Sequence, residues 1–340
     1  MNLTSVSTSS DPHASPHRAR VSVILVNWNG WRDTLLCLQS LMAMQFRPDE
    51  IIVCDNGSTD DSLQVIHAWA EGRVSAWVPP SHPSRASALE SSRPPLIDAA
   101  AALPAAPHPP VLRLIEVGAN LGFGGGNNVG LAHVRRHATS KYVWLLNNDT
   151  AVAPDALERL LEAVEGTTTQ VLASSRVMYM QHPSTAWFEG GIFDSVTATA
   201  RHVTPPAFRD SATGFLSGCA LLIGRDAWET LGPLDAERFF MYGEDIDYSL
   251  RARAAGIRLM LVEDSIVLHA VSASSRIASP FAYRHNVSSV IRVSRKHFAA
   301  WRALPMATYH ITKLLALAIV RRPGLAALRG YWQGIVSGFA

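Results

Sequence analysis

The run Val21–Asn27, VSVILVN, constrains the fold more than any other part of the chain. It is dominated by Val, Ile and Leu and stops at the loop-forming residues Asn27-Trp28-Asn29-Gly30, which is the pattern of a strand buried on both faces. A strand of that kind belongs in a parallel sheet covered by helices. The following residues keep the rhythm, with a helical pattern around Thr34–Met44, a second strand over Ile51–Cys54 and a helical stretch near Asp61–Ala70. Alternation of this sort marks βαβ units and an α/β fold.

Residues 78–110 interrupt it. They are rich in Pro, Ala, Ser and His with little apolar periodicity, so they offer too little burial to offset the entropy of ordering and are expected to form a disordered insertion. The alternation resumes with a strand at Val111–Val117, a helix from about Asn127 to Arg136, a strand at Tyr142–Leu146 and a helix from Pro154 to Val164. Beyond it, Cys219–Ile223 and Arg258–Val262 predict strands, and Glu244–Ala255 and Ala282–His297 predict helices. Near the end, the apolar stretch Leu314–Val320 is short and is preceded by His310 and Lys313. That pattern suits an amphipathic helix lying in a membrane interface better than a span of about 20 apolar residues.

Composition narrows the functional classes. The 340 residues carry a formal net charge of only +2, and Lys and Arg interspersed with Asp and Glu do not make the one-sided basic footprint of a nucleic-acid binder. Cys37, Cys54 and Cys219 are widely spaced and odd in number, which fits a reducing compartment. The first 19 residues are rich in Ser, His, Pro and Arg and lack an apolar h-region, so they predict a tail rather than a secretory signal, and a cytoplasmic protein.

Five clusters carry chemistry. Asp55 ends the second strand in Asp55-Asn56-Gly57-Ser58-Thr59-Asp60, where an open α/β sheet binds ligands. The same residues read equally well as a turn with a helix cap. The glycine-dense stretch Asn120–Gly130 suits close approach of backbone amides to a diphosphate, or else a flexible loop. It does not match G-x-G-x-x-G, which weighs against a dehydrogenase. Asp149, after Asn147 and Asn148 at a strand end, suits a hard divalent cation; the ordinary alternative is a helix cap or turn. Glu244, Asp245 and Asp247 open a helix after an aromatic cluster, and Asp245 at its N-terminus is placed to act as a general base in ionised form. His269 ends an apolar strand and suits a metal ligand, although a core histidine is the commoner case.

Taken in order from Val21 to about Asn286, these motifs resemble glycosyltransferase family 2, in particular its bacterial rhamnosyltransferase-like branch. The resemblance implies a GT-A fold over residues 20–275, a mainly parallel central sheet flanked by helices, followed by a C-terminal helical region over 276–340. It implies an inverting, metal-dependent transferase using Mg²⁺ or Mn²⁺, with Asp245 as base and Asp149 and His269 at the metal. Asn147 stands at the first acidic position of the family's Asp-x-Asp motif. Donor contacts would come from Asn27, Asp55, Asn120, Gly122, Asn128, Asn148, Ser217 and Gly218. The implied partners are a nucleotide-sugar, dTDP-rhamnose first and a UDP-sugar next, and a glycan or polyprenyl-linked acceptor in cell-surface polysaccharide synthesis at the inner membrane face. Arg251 would either steady phosphate or pair with a carboxylate. The rival readings are a catalytically inactive scaffold of a glycan-assembly complex and a nucleotidyltransferase.

Overall fold

The computed structural model describes residues 19–76, 93–99, 101, 110–137, 139–166, 168–271, 279–321 and 324–340. The expected tail before residue 19 and most of the expected insertion lie outside them. The apolar run at the start forms β1 (Val21–Asn27) in the middle of the sheet, followed by α1 (Trp31–Met42), β2 (Glu50–Asp55), α2 (Ser62–Ala70), β3 (Val111–Glu116), α3 (Gly122–His137) and β4 (Tyr142–Asn147). These pair in the order β3-β2-β1-β4, all parallel. Val23, Ile24, Leu25 and Trp144 have no exposed surface, as a strand covered on both faces requires.

The second half adds β5 (Thr150–Val152), α4 (Ala156–Val164), β6 (Val171–Tyr179), β7 (His182–Phe188), β8 (Gly191–Asp194), β9 (Thr199–His202), α5 (Pro205–Arg209), β10 (Gly214–Phe215), β11 (Ala220–Gly224), α6 (Arg225–Leu231), α7 (Glu244–Ala254) and β12 (Arg258–His269). Strand β11 enters antiparallel between β4 and β6, and β12 then runs parallel to β6. The sheet is therefore mixed, yet β1 to β4, β6 and β12 all point the same way. Their C-terminal ends share one edge, which brings Asn27, Asp55, Asn147 and His269 together. Strands β8, β9 and β10 form a small separate sheet. None of β5 to β10 was marked by sequence pattern.

Two expectations change. Residues 93–99, expected within the disordered insertion, lie along β3: Pro95 O accepts from Leu112 N at 2.9 Å and Ile97 N donates to Leu112 O at 3.1 Å. The buried Arg113 side chain fastens this segment, donating to Asp98 O and to Glu50. The glycine-dense stretch is also no loop, since Gly122–Gly126 already belong to α3. Each glycine costs a helix about 1 kcal/mol relative to alanine. Close packing on β1 explains two glycines of this helix: a β-carbon on Gly126 would lie 2.7 Å from Val26 Cγ1, and one on Gly130 2.6 Å from Ile24 Cγ2. Helix α3 thus sits directly on β1.

The C-terminal region is helical, as expected: α8 (Pro280–His297), a 3₁₀ turn (Ala300–Arg302), α9 (Ala303–Ala316), a π-helical turn (Leu317–Arg321) and α10 (Leu325–Phe339). Gly330, Gly334 and Gly338 lie at every fourth residue of α10 and press against α8, where added β-carbons would meet Pro280 O, Arg284 O and Ile291 Cβ within 2.8 Å. The apolar stretch is longer than expected. Ala300–Val320 forms 21 helical residues, enough to cross a membrane by length and composition, and His310 does not interrupt its outer face because its ring is buried.

Candidate active site

At the C-terminal edge of the sheet, Asn27 and Asp55 stand on neighbouring strands in register. Asn27 Nδ2 donates to Asp55 Oδ1 at 2.7 Å and to Ser58 Oγ at 3.1 Å, while its Oδ1 accepts from Thr34 Oγ1 at 2.8 Å. Asp55 also accepts from the Ser58 hydroxyl and backbone N–H, at 2.6 and 3.0 Å. Both amide atoms of Asn27 are spent on Asp55, Ser58 and Thr34, so its side chain orients Asp55.

A similar brace holds the start of α3. Asn56 donates to Asn120 Oδ1 and Gly122 O at 3.1 and 3.0 Å and accepts from Leu121 N at 3.1 Å. Gly122 N donates to Asn120 Oδ1, and Phe123 N to Phe240 O. The amides of Leu121, Gly122 and Phe123 are therefore already satisfied within the protein. Asn128 is likewise occupied, since its amide exchanges both hydrogen bonds with the backbone of Leu234 at 2.8 and 2.9 Å. Only glycine fits at 122, where φ is +72° and a β-carbon would lie 1.9 Å from Phe240 O.

Asp149 Oδ1 and His269 Nε2, the two expected metal donors, lie 3.1 Å apart. Asn147 Nδ2 lies 3.5 Å from the same ring nitrogen, and Asn148 Nδ2 donates to Thr34 Oγ1 at 3.0 Å. His269 Nδ1 is buried without a hydrogen-bond partner. Burial disfavours a charged ring, but the adjacent Cys219 sulfur and Asp149 carboxylate more than offset it and lift the imidazole to about 11. Metals bind the deprotonated imidazole, so a cation held by Asp149 Oδ1 and His269 Nε2 would have to displace any proton from that ring nitrogen. One oxygen and one nitrogen donor, hard and borderline, fit Mn²⁺ or Mg²⁺ completed by other oxygens. Among the described residues no group of three or more His, Cys, Asp and Glu forms a self-sufficient metal cage.

Asp245 begins α7. Its Oδ2 accepts from Gly218 N at 3.1 Å and its Oδ1 from Ile246 N at 2.8 Å. Burial nevertheless raises its carboxyl above the usual value, opposed by those two amides and by the nearby His202. Ser217 Oγ accepts from Cys219 N at 3.2 Å, and Gly218 leaves room for the Phe123 ring, which a β-carbon would approach to 3.0 Å. Glu244, also buried, has an Oε2 without a partner. Asp247 faces away: it bonds Arg251 at 3.0 Å, Lys296 at 2.7 Å and His297 at 2.6 Å. Arg251 is therefore a salt-bridge residue, which also caps Leu231 O and Pro233 O.

Two residues that sequence patterns did not mark complete the site. The Trp187 ring packs edge-on against His269 at 4.5 Å and against His202 at 5.2 Å, and Trp187 O lies 2.6 Å from His202 Nδ1. The Trp187 ring thus touches both the His269 ring of the Asp149 pair and the His202 ring.

A mixed sheet of this order, with acidic and histidine donors gathered at its C-terminal edge, is the architecture of a GT-A glycosyltransferase. A mannosyltransferase from Pyrobaculum calidifontis, solved with GDP-Man and Mn²⁺, superposes with a TM-score of 0.55 at 16% identity, covering 95% of this chain and 86% of that one. GalNAc-T7, solved with UDP, GalNAc and Mn²⁺, gives 0.59 at 14% identity, covering 95% of this chain and 55% of its own. The chain belongs to glycosyltransferase family 2: residues 98–288 match "Glycosyltransferase like family 2", and residues 22–77 match "Glycosyl transferase family 2". It is 26% identical over 297 residues, 78% of this chain and 81% of the relative, to the N-acetylglucosaminyl-diphospho-decaprenol L-rhamnosyltransferase of Mycobacterium tuberculosis. The protein is thus a family 2 glycosyltransferase of the rhamnosyltransferase-like branch.

Proposed function

We propose that this enzyme transfers a hexose, rhamnose from dTDP in the first instance and a UDP-sugar in the second, to a polyprenyl-linked glycan acceptor. Transfer inverts the anomeric carbon and serves cell-surface polysaccharide synthesis on the cytoplasmic face of the membrane. The Asp149–His269 pair at the sheet edge and the amide-held Asp245 at the head of α7 carry this reading. Similarity to the mycobacterial rhamnosyltransferase supports the donor and acceptor classes.

Asp245 accepts the proton of the acceptor hydroxyl while that oxygen bonds to the anomeric carbon from the face opposite the nucleoside diphosphate. The two amides on the carboxylate hold it in place for this step. Asp149 and His269 would hold a divalent cation, which neutralises charge on the departing diphosphate. Asp55, fixed by Asn27 and Ser58, accepts a hydrogen bond from the nucleoside.

The test is a titration of purified protein with a panel of nucleotide sugars, with and without Mn²⁺ or Mg²⁺. Cation-dependent binding of one donor, lost in Asp149→Ala and kept without transfer in Asp245→Asn, is the expected outcome. No donor bound under any condition would replace this function with that of an inactive scaffold.

A further inference from the structure

The last acidic residue of the chain is Asp264, and residues 265–340 contain ten Lys and Arg with no Asp or Glu. The small net charge of the whole chain conceals this asymmetry, and the charge is not evenly interspersed as composition suggested. The same segment carries the most exposed apolar side chains. Leu304, Ile319, Val320 and Leu325 are each more than 70% exposed, and Trp301 and Trp332 at least half. Helices α9 and α10 enclose an apolar groove between Leu314, Leu315, Leu325 and Leu328, with Arg329 and Trp332 at its rim. Isolated exposed apolar residues are ordinary; a contiguous set with aromatic and cationic borders is not.

The opposite side of α9 is bound to the protein. Met306 and His310 are buried, and His310 meets Tyr331 Oη through Nδ1 at 3.0 Å and Ala198 O through Nε2 at 3.3 Å. Burial pushes this imidazole down to about 4, so the ring is neutral. Arg302 also bonds Ser195. A spanning α9 would draw the β8–β9 turn that it binds, with its irregular polar backbone, to membrane depth.

We propose that α9 and α10 form a docking surface for an anionic bilayer, with their outer apolar face in the acyl boundary and their cations at the lipid phosphates. An anionic membrane complements both properties of the surface: apolar area and positive charge. A second copy of the chain would satisfy only the first, because it would bring like charges together. Lys313 and Arg329 reach headgroups while their stems stay on apolar surface. The surface abuts the small sheet, since Ala198 and Ser195 lie in the turn between β8 and β9. Strand β9 ends at His202 beside the reaction centre, so docking sets the acceptor side of the site next to the membrane. This deepens the polyprenyl acceptor reading, but the vesicle measurement below is independent of it.

Full-length protein is sedimented with vesicles of neutral phosphatidylcholine, and with vesicles that also contain phosphatidylglycerol, at low and high salt. The expected result is binding to the anionic vesicles that weakens with salt, and on the order of tenfold less binding for Lys313→Gln with Arg329→Gln. Leu315→Glu with Ile319→Glu, both on the exposed face, abolishes binding but keeps the circular dichroism spectrum and donor binding. Equal binding to neutral vesicles, no binding, or unchanged binding of the Glu variant would overturn the proposal. Resistance to alkaline extraction would overturn it in favour of a spanning helix, and a dimer dissociated by the Glu variant without vesicles in favour of self-association.

Discussion

Glu244 and Asp245 are adjacent in sequence but differ in what surrounds their carboxyl groups. Asp245 has two backbone donors, whereas Glu244 has an orphaned oxygen, and burial with the neighbouring Asp245 charge pushes Glu244 up to about 8. Its folded value therefore lies above the 4.5 of an unperturbed glutamate. Between those values the folded protein holds a proton that the unfolded chain has released, so stability falls as pH rises through the window. Glu244→Gln should melt with the parent near pH 5 and above it near pH 9, as thermal unfolding across pH would show. An unchanged gap across that range would mean the carboxyl is ionised in the fold. Sequence marked this acidic triplet as costly and Arg251 as a salt-bridge candidate, but not that Asp247 also holds Lys296 and His297, because these come from a distant helix.

At the scale of elements, α3 shows how tertiary packing overrides propensity. Five glycines between 122 and 130 read as a loop, and by propensity each one weakens a helix. Glycine nevertheless lets the helix rest on Val26 and Ile24. Gly126→Ala should improve propensity by about 1 kcal/mol and still destabilise the protein, because overpacking against a stiff β-branched side chain costs about 1–3 kcal/mol. Urea unfolding measures the balance, and a rise in stability would show that the α3–β1 contact relaxes freely. The strand expectations fared better where burial is continuous: β1, β2 and β4 were legible as apolar runs. In contrast, β7 and β9 have exposed, polar stretches with no apolar alternation, so the two residues they supply to the site, Trp187 and His202, left no local signal.

For the molecule as a whole, Asp247 is the joint between the catalytic sheet and the C-terminal helices. Its carboxylate, with no exposed surface, holds Lys296 and His297 of α8, and α8 carries α10 through the glycine contacts. Asp247→Asn should lower stability by roughly 3 kcal/mol, the lower end of what breaking a buried ion pair costs, since Lys296 and Arg251 keep some access to water. A urea midpoint unchanged from the parent would dismiss that role. The sequence by itself determined the α/β class, the order of the first strands and the five motifs of the family, because apolar runs, turn residues and strand-end carboxylates are local patterns. Only the tertiary structure decided which of those motif residues are consumed as braces, as Asn27, Asn120 and Asn128 are. It also decided that Trp187 packs on both His269 and His202, and that Leu314, Leu315, Leu325 and Leu328 line one groove. Those outcomes depend on which strand lies beside which and which helix faces inward, and contacts between residues distant in the chain have no local sequence signature.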